Sequence, residues 1–235
     1  MATPDKNNYD CLLLNGDSYS ESVDKFKVYG DYLGDHLGIP VKNFALSGSS
    51  NDRILRTTIE YCNQIKKEYN NPLVVVGWSF VRRIEVWYYG NKDKILRRAS
   101  ENEHSRFVTL DWLLANDASD EHKAMILDDL HVHKKLTDFY TNLYLFGNLM
   151  KSLNLDYFCF SAADNTDCPI HCFPYINGLH QTQWVKQNRN MFQLHNFCVK
   201  KWAFENDDEC KSTGHLSPSG HKKFATVILE ELNKR

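Results

Sequence analysis

Long apolar runs are missing from this chain. Its uncharged hydrophobic stretches are a few residues each, such as Cys11-Leu12-Leu13-Leu14, far below the ~20 that span a bilayer as a helix, so no membrane partner is expected. The segment Met1 to Asn8 is polar and lacks the apolar centre of a secretion signal. Charge of one sign is missing too. The 28 basic and 30 acidic residues leave a formal net charge of −2, and without a basic field to hold a phosphate backbone nucleic acid is not an expected partner. There are no repeats, low-complexity tracts or Gly/Ser linkers. The cysteines number seven, an odd count scattered from Cys11 to Cys210, which suits reduced thiols in a cytoplasmic compartment rather than a disulfide framework.

What remains is a composition of 42% hydrophobic and 25% charged residues over 235 positions, which argues against disorder and for one domain, 1–235, with a core large enough to fold without metal or disulfide. Three continuous apolar runs, Cys11 to Leu14, Leu73 to Val76 and Tyr157 to Phe160, read as strands covered on both faces, with a weaker candidate at Val41 to Leu46. Helices are expected between them: Asp24 to Leu37, Asn51 to Tyr69 behind a Ser49 or Ser50 cap, and Ser119 to Leu153 with a bend near Gly147. A last helix should open at Ser217-Pro218, serine at the cap and proline in the first turn. Trp78 to Arg98 and Asp164 to Asn190 read as irregular insertions. This alternation predicts an α/β fold, a three-layer α/β/α sandwich on a mainly parallel open sheet. Such sheets bind ligands beyond the carboxyl ends of their strands, which singles out the loops after Leu14, Leu46, Val76 and Phe160.

The first of these loops is Asn15-Gly16-Asp17-Ser18-Tyr19-Ser20, where a glycine turn would present the Ser18 hydroxyl at a strand's end. By itself the tripeptide Gly16-Asp17-Ser18 is equally a helix cap. A serine hydroxyl becomes nucleophilic only when a base removes its proton, and His215, in Ser212-Thr213-Gly214-His215 just before the last helix, is placed to reach back across the sheet edge.

In combination these segments resemble the SGNH hydrolase superfamily, the GDSL-like esterases and lipases. Gly16-Asp17-Ser18 matches its first block, Gly48 after the second strand its second, Gly77-Trp78-Ser79 its third, and Ser212 to His215 its fifth, in the family's order from residue 11 to the last helix. The resemblance implies the SGNH, flavodoxin-like strand order and a serine esterase working through an acyl-enzyme, with Ser18 as nucleophile and His215 as base. It implies an oxyanion hole made by the Ser18 and Gly48 N–H groups and a third donor. It implies no cofactor and no metal, and as substrate a small-molecule acyl ester or an O-acetylated carbohydrate.

Two positions depart from the pattern. Ser79 stands where the family has an oxyanion-binding Asn, so Ser79 or Asn51 would have to supply the third donor; losing such a donor costs ~10²–10³ in turnover in a well-studied protease. Ser212 stands where the family has the Asp that orients the histidine, leaving Asp207, Asp208 or Glu209, or a backbone carbonyl, as candidates for that task. These departures favour the rival reading, a catalytically impaired protein of the same fold with a carbohydrate-binding or assembly role.

Two further groupings compete for attention. Cys168, His171, Cys172, His180, His195, Cys198 and Cys210 are zinc-binding residue types, but their spacing matches no common zinc module and no convergence is expected. The aromatic stretch Trp78, Phe80, Trp87, Tyr88 and Tyr89, with Arg82, Arg83 and Glu85, is either a lid on the core or a wall for a ligand.

Overall fold

A computed structural model describes residues 9–22, 26–81, 83–87, 107–110, 132–162, 178–192, 197–207 and 209–235. In chain order the first elements are β1 (Cys11–Asn15), α1 (Tyr29–Leu37), β2 (Val41–Asn43), α2 (Asn51–Glu68), β3 (Pro72–Trp78), β4 (Ile84–Trp87) and β5 (Phe107–Leu110). They are followed by α3 (Val132–Ser152), β6 (Asp156–Ser161), α4 (His180–Gln187), α5 (Val199–Asn206), α6 (Cys210–Thr213) and α7 (Pro218–Asn233). Among the described residues β1, β2, β3 and β6 form one all-parallel sheet in the order β2-β1-β3-β6.

The continuous apolar runs are continuous because both faces of the sheet are covered. Cys11, Leu13, Val74, Val76, Trp78, Tyr157 and Cys159 point to one side, against Ile54, Cys62 and Ile65 of α2, Phe139, Leu143 and Phe146 of α3 and Val185 of α4. Their strand neighbours Leu12, Leu14, Leu73, Val75, Phe158 and Phe160 point to the other, against Tyr29 and Leu33 of α1, Ala203 of α5 and Phe224 and Ile228 of α7. The period-two alternation of side chains thus sorts each run onto two cores, and the fold is a three-layer α/β/α sandwich.

Helix starts follow their caps. Arg53 N–H donates to Ser50 Oγ at 3.2 Å to open α2, and Gly220 N–H to Ser217 Oγ at 3.0 Å to open α7, whose first residue is Pro218. The first helix begins later than Asp24: Val28 N–H donates to Asp31 Oδ2 at 2.8 Å, which fixes the start of α1 at Tyr29. The helix α3 runs through Gly147 without a break. A Cβ there would overlap Trp184 of α4 and crowd Tyr157 Oη, so this glycine makes room for a neighbouring ring. The two stretches expected to be irregular contain order. The first holds β4, which pairs antiparallel with β5, and the second holds α4. No helix among the described residues is long and apolar enough to cross a membrane.

Candidate active site

Strand order reverses between β1 and β3, and the crevice beyond their carboxyl ends is where an open α/β sheet takes ligands. The loop leaving β1 is held there by buried polar contacts. Asn15 Nδ2 donates to Thr57 Oγ1 at 2.9 Å and to Thr58 Oγ1 at 2.8 Å, tying the end of β1 to α2, while its Oδ1 accepts from Gly16 N–H at 2.9 Å. Only glycine fits at 16, because a Cβ would run into Ser20 Oγ and lie 3.0 Å from the Gly77 carbonyl of β3. Asp17, fully buried, accepts from Tyr19 N–H at 3.1 Å through Oδ1 and from Ser79 Oγ at 2.6 Å through Oδ2. Arg83 Nη1 lies 3.3 Å from the same Oδ2 and donates to Ser79 Oγ at 2.8 Å. The β1 and β3 loops are therefore locked together by a buried carboxylate and hydroxyl with a half-buried guanidinium.

That anchoring leaves Ser18 half-buried, at the surface of the turn. Its Oγ lies 3.0 Å from Nε2 of His215, 197 residues further along the chain. The other ring nitrogen, Nδ1, lies 3.3 Å from the Thr213 carbonyl. The tautomer that satisfies both contacts carries its proton on Nδ1, donates it to Thr213 O, and leaves Nε2 to accept from the serine hydroxyl. His215 is exposed, and it follows α6, which ends at Gly214 in the left-handed region, φ 73°, a turn that favours glycine.

The remaining expected site residues divide. Gly48 lies in the loop after β2, whose Leu46 N–H donates to the Gly16 carbonyl at 3.2 Å, so the second and first loops are adjacent. No described acceptor engages the N–H of Ser18 or of Gly48. Ser79 and Asn51, the two candidates for a third donor, are turned to each other and to Asp17. Ser79 N–H donates to Asn51 Oδ1 at 2.7 Å, Asn51 Nδ2 donates to Ser79 O at 3.1 Å, and the Ser79 hydroxyl proton goes to Asp17.

Asp207 is not brought to His215. Both of its oxygens are taken by the cap of α7, Oδ2 accepting from Ser217 N–H at 2.7 Å and Oδ1 from Ser217 Oγ at 2.8 Å. Asp208 lies outside the described residues. Ser212 is exposed and donates to the Glu209 carbonyl at 2.9 Å. What faces the second ring nitrogen of His215 is a backbone carbonyl, that of Thr213, and not the carboxylate expected there. One residue that the sequence did not single out completes the surroundings: the Tyr19 ring stacks on His215 with centroids 5.3 Å apart, and its hydroxyl donates to Gly214 O at 2.6 Å.

Residues 14–144 match the model of a family of unknown function, DUF6071. The chain belongs to this family. The DUF6071 segment begins in β1 and takes in Ser18, Gly48, Asn51, Ser79 and Arg83, while His215 lies beyond its end. No curated protein matches the chain.

Near the crevice, Glu85 is engaged by Arg56 through two hydrogen bonds of 3.0 and 2.7 Å, and Trp78 is a fully buried core residue set edge-on to Phe139 and Phe146. Of the zinc-type residues, Cys198 and Cys210 are buried free thiols, and Cys198 Sγ caps α5 by accepting from Lys201 N–H at 3.3 Å. Among the described residues no group of three or more His, Cys, Asp and Glu is arranged to hold a metal. Cys168, His171, Cys172, His195, Tyr88, Tyr89 and Arg82 lie outside the described residues.

Proposed function

We propose that the protein is a serine ester hydrolase of SGNH type, acting on a carboxylic ester through an acyl-enzyme. The observation that carries this reading is the 3.0 Å contact between Ser18 Oγ and His215 Nε2. The contact lies at the strand ends of a sheet whose topology concentrates ligands there, and a nucleophile–base hydrogen bond is the signature of an activated serine. Ser18 Oγ attacks the ester carbonyl while its proton passes to His215 Nε2. The tetrahedral adduct collapses, the leaving alcohol takes that proton, and Ser18 is left acylated. Water, deprotonated by the same nitrogen, then attacks the acyl group; collapse of this second adduct breaks the bond to Ser18 Oγ, returns the proton from His215 to that oxygen and releases the carboxylic acid. The imidazolium formed in each half is stabilised by the Thr213 carbonyl dipole, a weaker partner than a carboxylate. The Ser18 and Gly48 N–H groups, with no described acceptor, are the donors for the oxyanion. Substrates of this class are small acyl esters and O-acetylated carbohydrates.

The second reading, a fold-retaining protein that binds carbohydrate or serves assembly without hydrolysing, draws on the engagement of Ser79 and Asn51 with each other and with Asp17. Hydrolysis of p-nitrophenyl acetate separates the two. The esterase reading expects turnover that disappears in Ser18→Ala and in His215→Ala, with Ser18 labelled by a fluorophosphonate probe. Turnover that survives Ser18→Ala, or its absence together with an unlabelled Ser18, overturns it.

A further inference from the structure

The His215 ring is held by a carbonyl that belongs to its own turn, and such a carbonyl orients the ring only if the turn itself is fixed. The elements of the turn are slight. The helix α6 has four residues, and Ser212, Thr213 and His215 are exposed. Local bonds close the loop, Thr213 Oγ1 donating to His215 O at 3.0 Å and His215 N–H lying 3.2 Å from Thr213 Oγ1, yet these move with it. Tyr19 is anchored outside that turn. It is 4% exposed, its N–H is bonded to the buried Asp17, and it follows Ser18 directly.

We propose that Tyr19 is the positioning residue of this site. Its hydroxyl clamps Gly214 O, its ring backs the imidazole, and together they hold the His215 tautomer whose Nε2 accepts from Ser18, the task a carboxylate performs elsewhere. Two contacts of different kinds carry this: the 2.6 Å hydrogen bond to Gly214 O and the stacking at 5.3 Å and 28°. Because Ser18 and Tyr19 are consecutive on a turn pinned by Asp17, nucleophile and positioning residue share one support. The distance between serine and histidine is then set by a single rigid turn rather than by two loops moving independently. Burial raises the Tyr19 phenol well above its ordinary range, which keeps its proton available for Gly214.

The proposal rests on the esterase reading for its kinetic consequence and stands apart from it in its spectroscopic one. Tyr19→Phe keeps the ring and removes the hydroxyl; Tyr19→Leu removes both. The ¹⁵N shifts of the His215 ring report the tautomer, p-nitrophenyl acetate reports kcat and KM, and thermal unfolding reports folding. In both variants the His215 signals are expected to move toward the Nε2–H form, more in Tyr19→Leu. Its kcat should fall about 10- to 100-fold, at most the lower end of the ~10²–10⁴ that general acid–base catalysis contributes because the base is misplaced and not removed, with KM little changed and Tyr19→Phe in between. Folded variants with wild-type His215 shifts and wild-type kcat overturn the proposal, and if Tyr19→Leu does not fold, Tyr19→Phe alone decides it. Should Ser18→Ala leave hydrolysis unaltered, the esterase reading fails while the ring shifts still decide the role of Tyr19.

Discussion

The Ser79 hydroxyl donates to Asp17 Oδ2 at 2.6 Å and in turn accepts from Arg83 Nη1 at 2.8 Å, so one small side chain relays between a buried carboxylate and a half-buried guanidinium. The Asp17 carboxylate is 1% and the Arg83 side chain 13% exposed. Removing the Asp17 charge takes from Arg83 an opposite charge held in a largely desolvated setting. Asp17→Asn should therefore destabilise the fold by about 3 kcal/mol, whereas Ser79→Ala, which removes a neutral relay, should cost about 1 kcal/mol. Urea unfolding at pH 7 measures both, and equal losses would show that the ion pair carries no special weight.

Asp207 should behave as a structural cap and not as a catalytic acid. Asp207→Ala removes both acceptors from Ser217 at the start of α7 and should cost about 2 kcal/mol, the upper range for a helix cap. Fluorophosphonate labelling of Ser18 per folded molecule should change by less than about threefold, against the ~10⁴ lost when a triad acid is neutralised. A collapse of labelling in a folded Asp207→Ala variant would return Asp207 to the site.

His221 gives the protein an acid limit. It is buried against Phe26 and Tyr29, and its Nδ1 accepts from Tyr29 N–H at 3.3 Å. Burial is the main force lowering its pKa to about 4; His215 lowers it further and Asp207 opposes the shift. The unfolded chain, with a histidine near 6.5, binds this proton before the folded one does. Its contribution is therefore level above pH ~6.5, falls as pH drops from there to about 4, and levels again below. The whole step is on the order of 3 kcal/mol. Chemical denaturation across pH 4 to 7 should show a slope that is shallower by about one proton in His221→Gln; identical slopes would remove His221 as the cause.

The seam between α3 and α4 should tolerate no branched side chain at Gly147, where any Cβ already overlaps Trp184. Gly147→Val should lower stability by about 1–3 kcal/mol, the usual cost of overpacking, and shift tryptophan emission as Trp184 is displaced. Unchanged stability and emission would mean that the seam opens at no cost.

The parts legible in sequence were those written in side-chain type and period. Leu12 to Leu14, Val74 to Val76 and Phe158 to Phe160 announce two-faced strands because each residue in the run is apolar, and Ser50 and Ser217 announce helix starts because a hydroxyl there has one obvious acceptor role. Gly16, Ser18 and His215 were legible through their order along the chain. The Thr213 carbonyl was not, since every residue carries one and only the fold selects which is used. Tyr19 reads as one more core aromatic until the turn carrying Gly214 is laid beside it. Asp207 misled because a carboxylate near a histidine in sequence suggests a partner, while Ser217, equally near, offered it two donors in ideal geometry. The pairing of β4 with β5 joins segments on either side of residues 88–106, a long-range match that no local periodicity signals.

The contact between Ser18 and His215 spans 197 residues. A growing chain exposes the Ser18 turn early and the histidine only after α5 and α6 have been made. On the esterase reading the serine gains its base only when that late segment docks against Tyr19, so a nascent or half-folded chain should be chemically silent toward esters. Closing so wide a loop is entropically slow to initiate but only weakly more costly than closing a shorter one. The appearance of reactivity at Ser18 would thus serve as a clock for the last stage of folding, started by one end of the domain and stopped by the other.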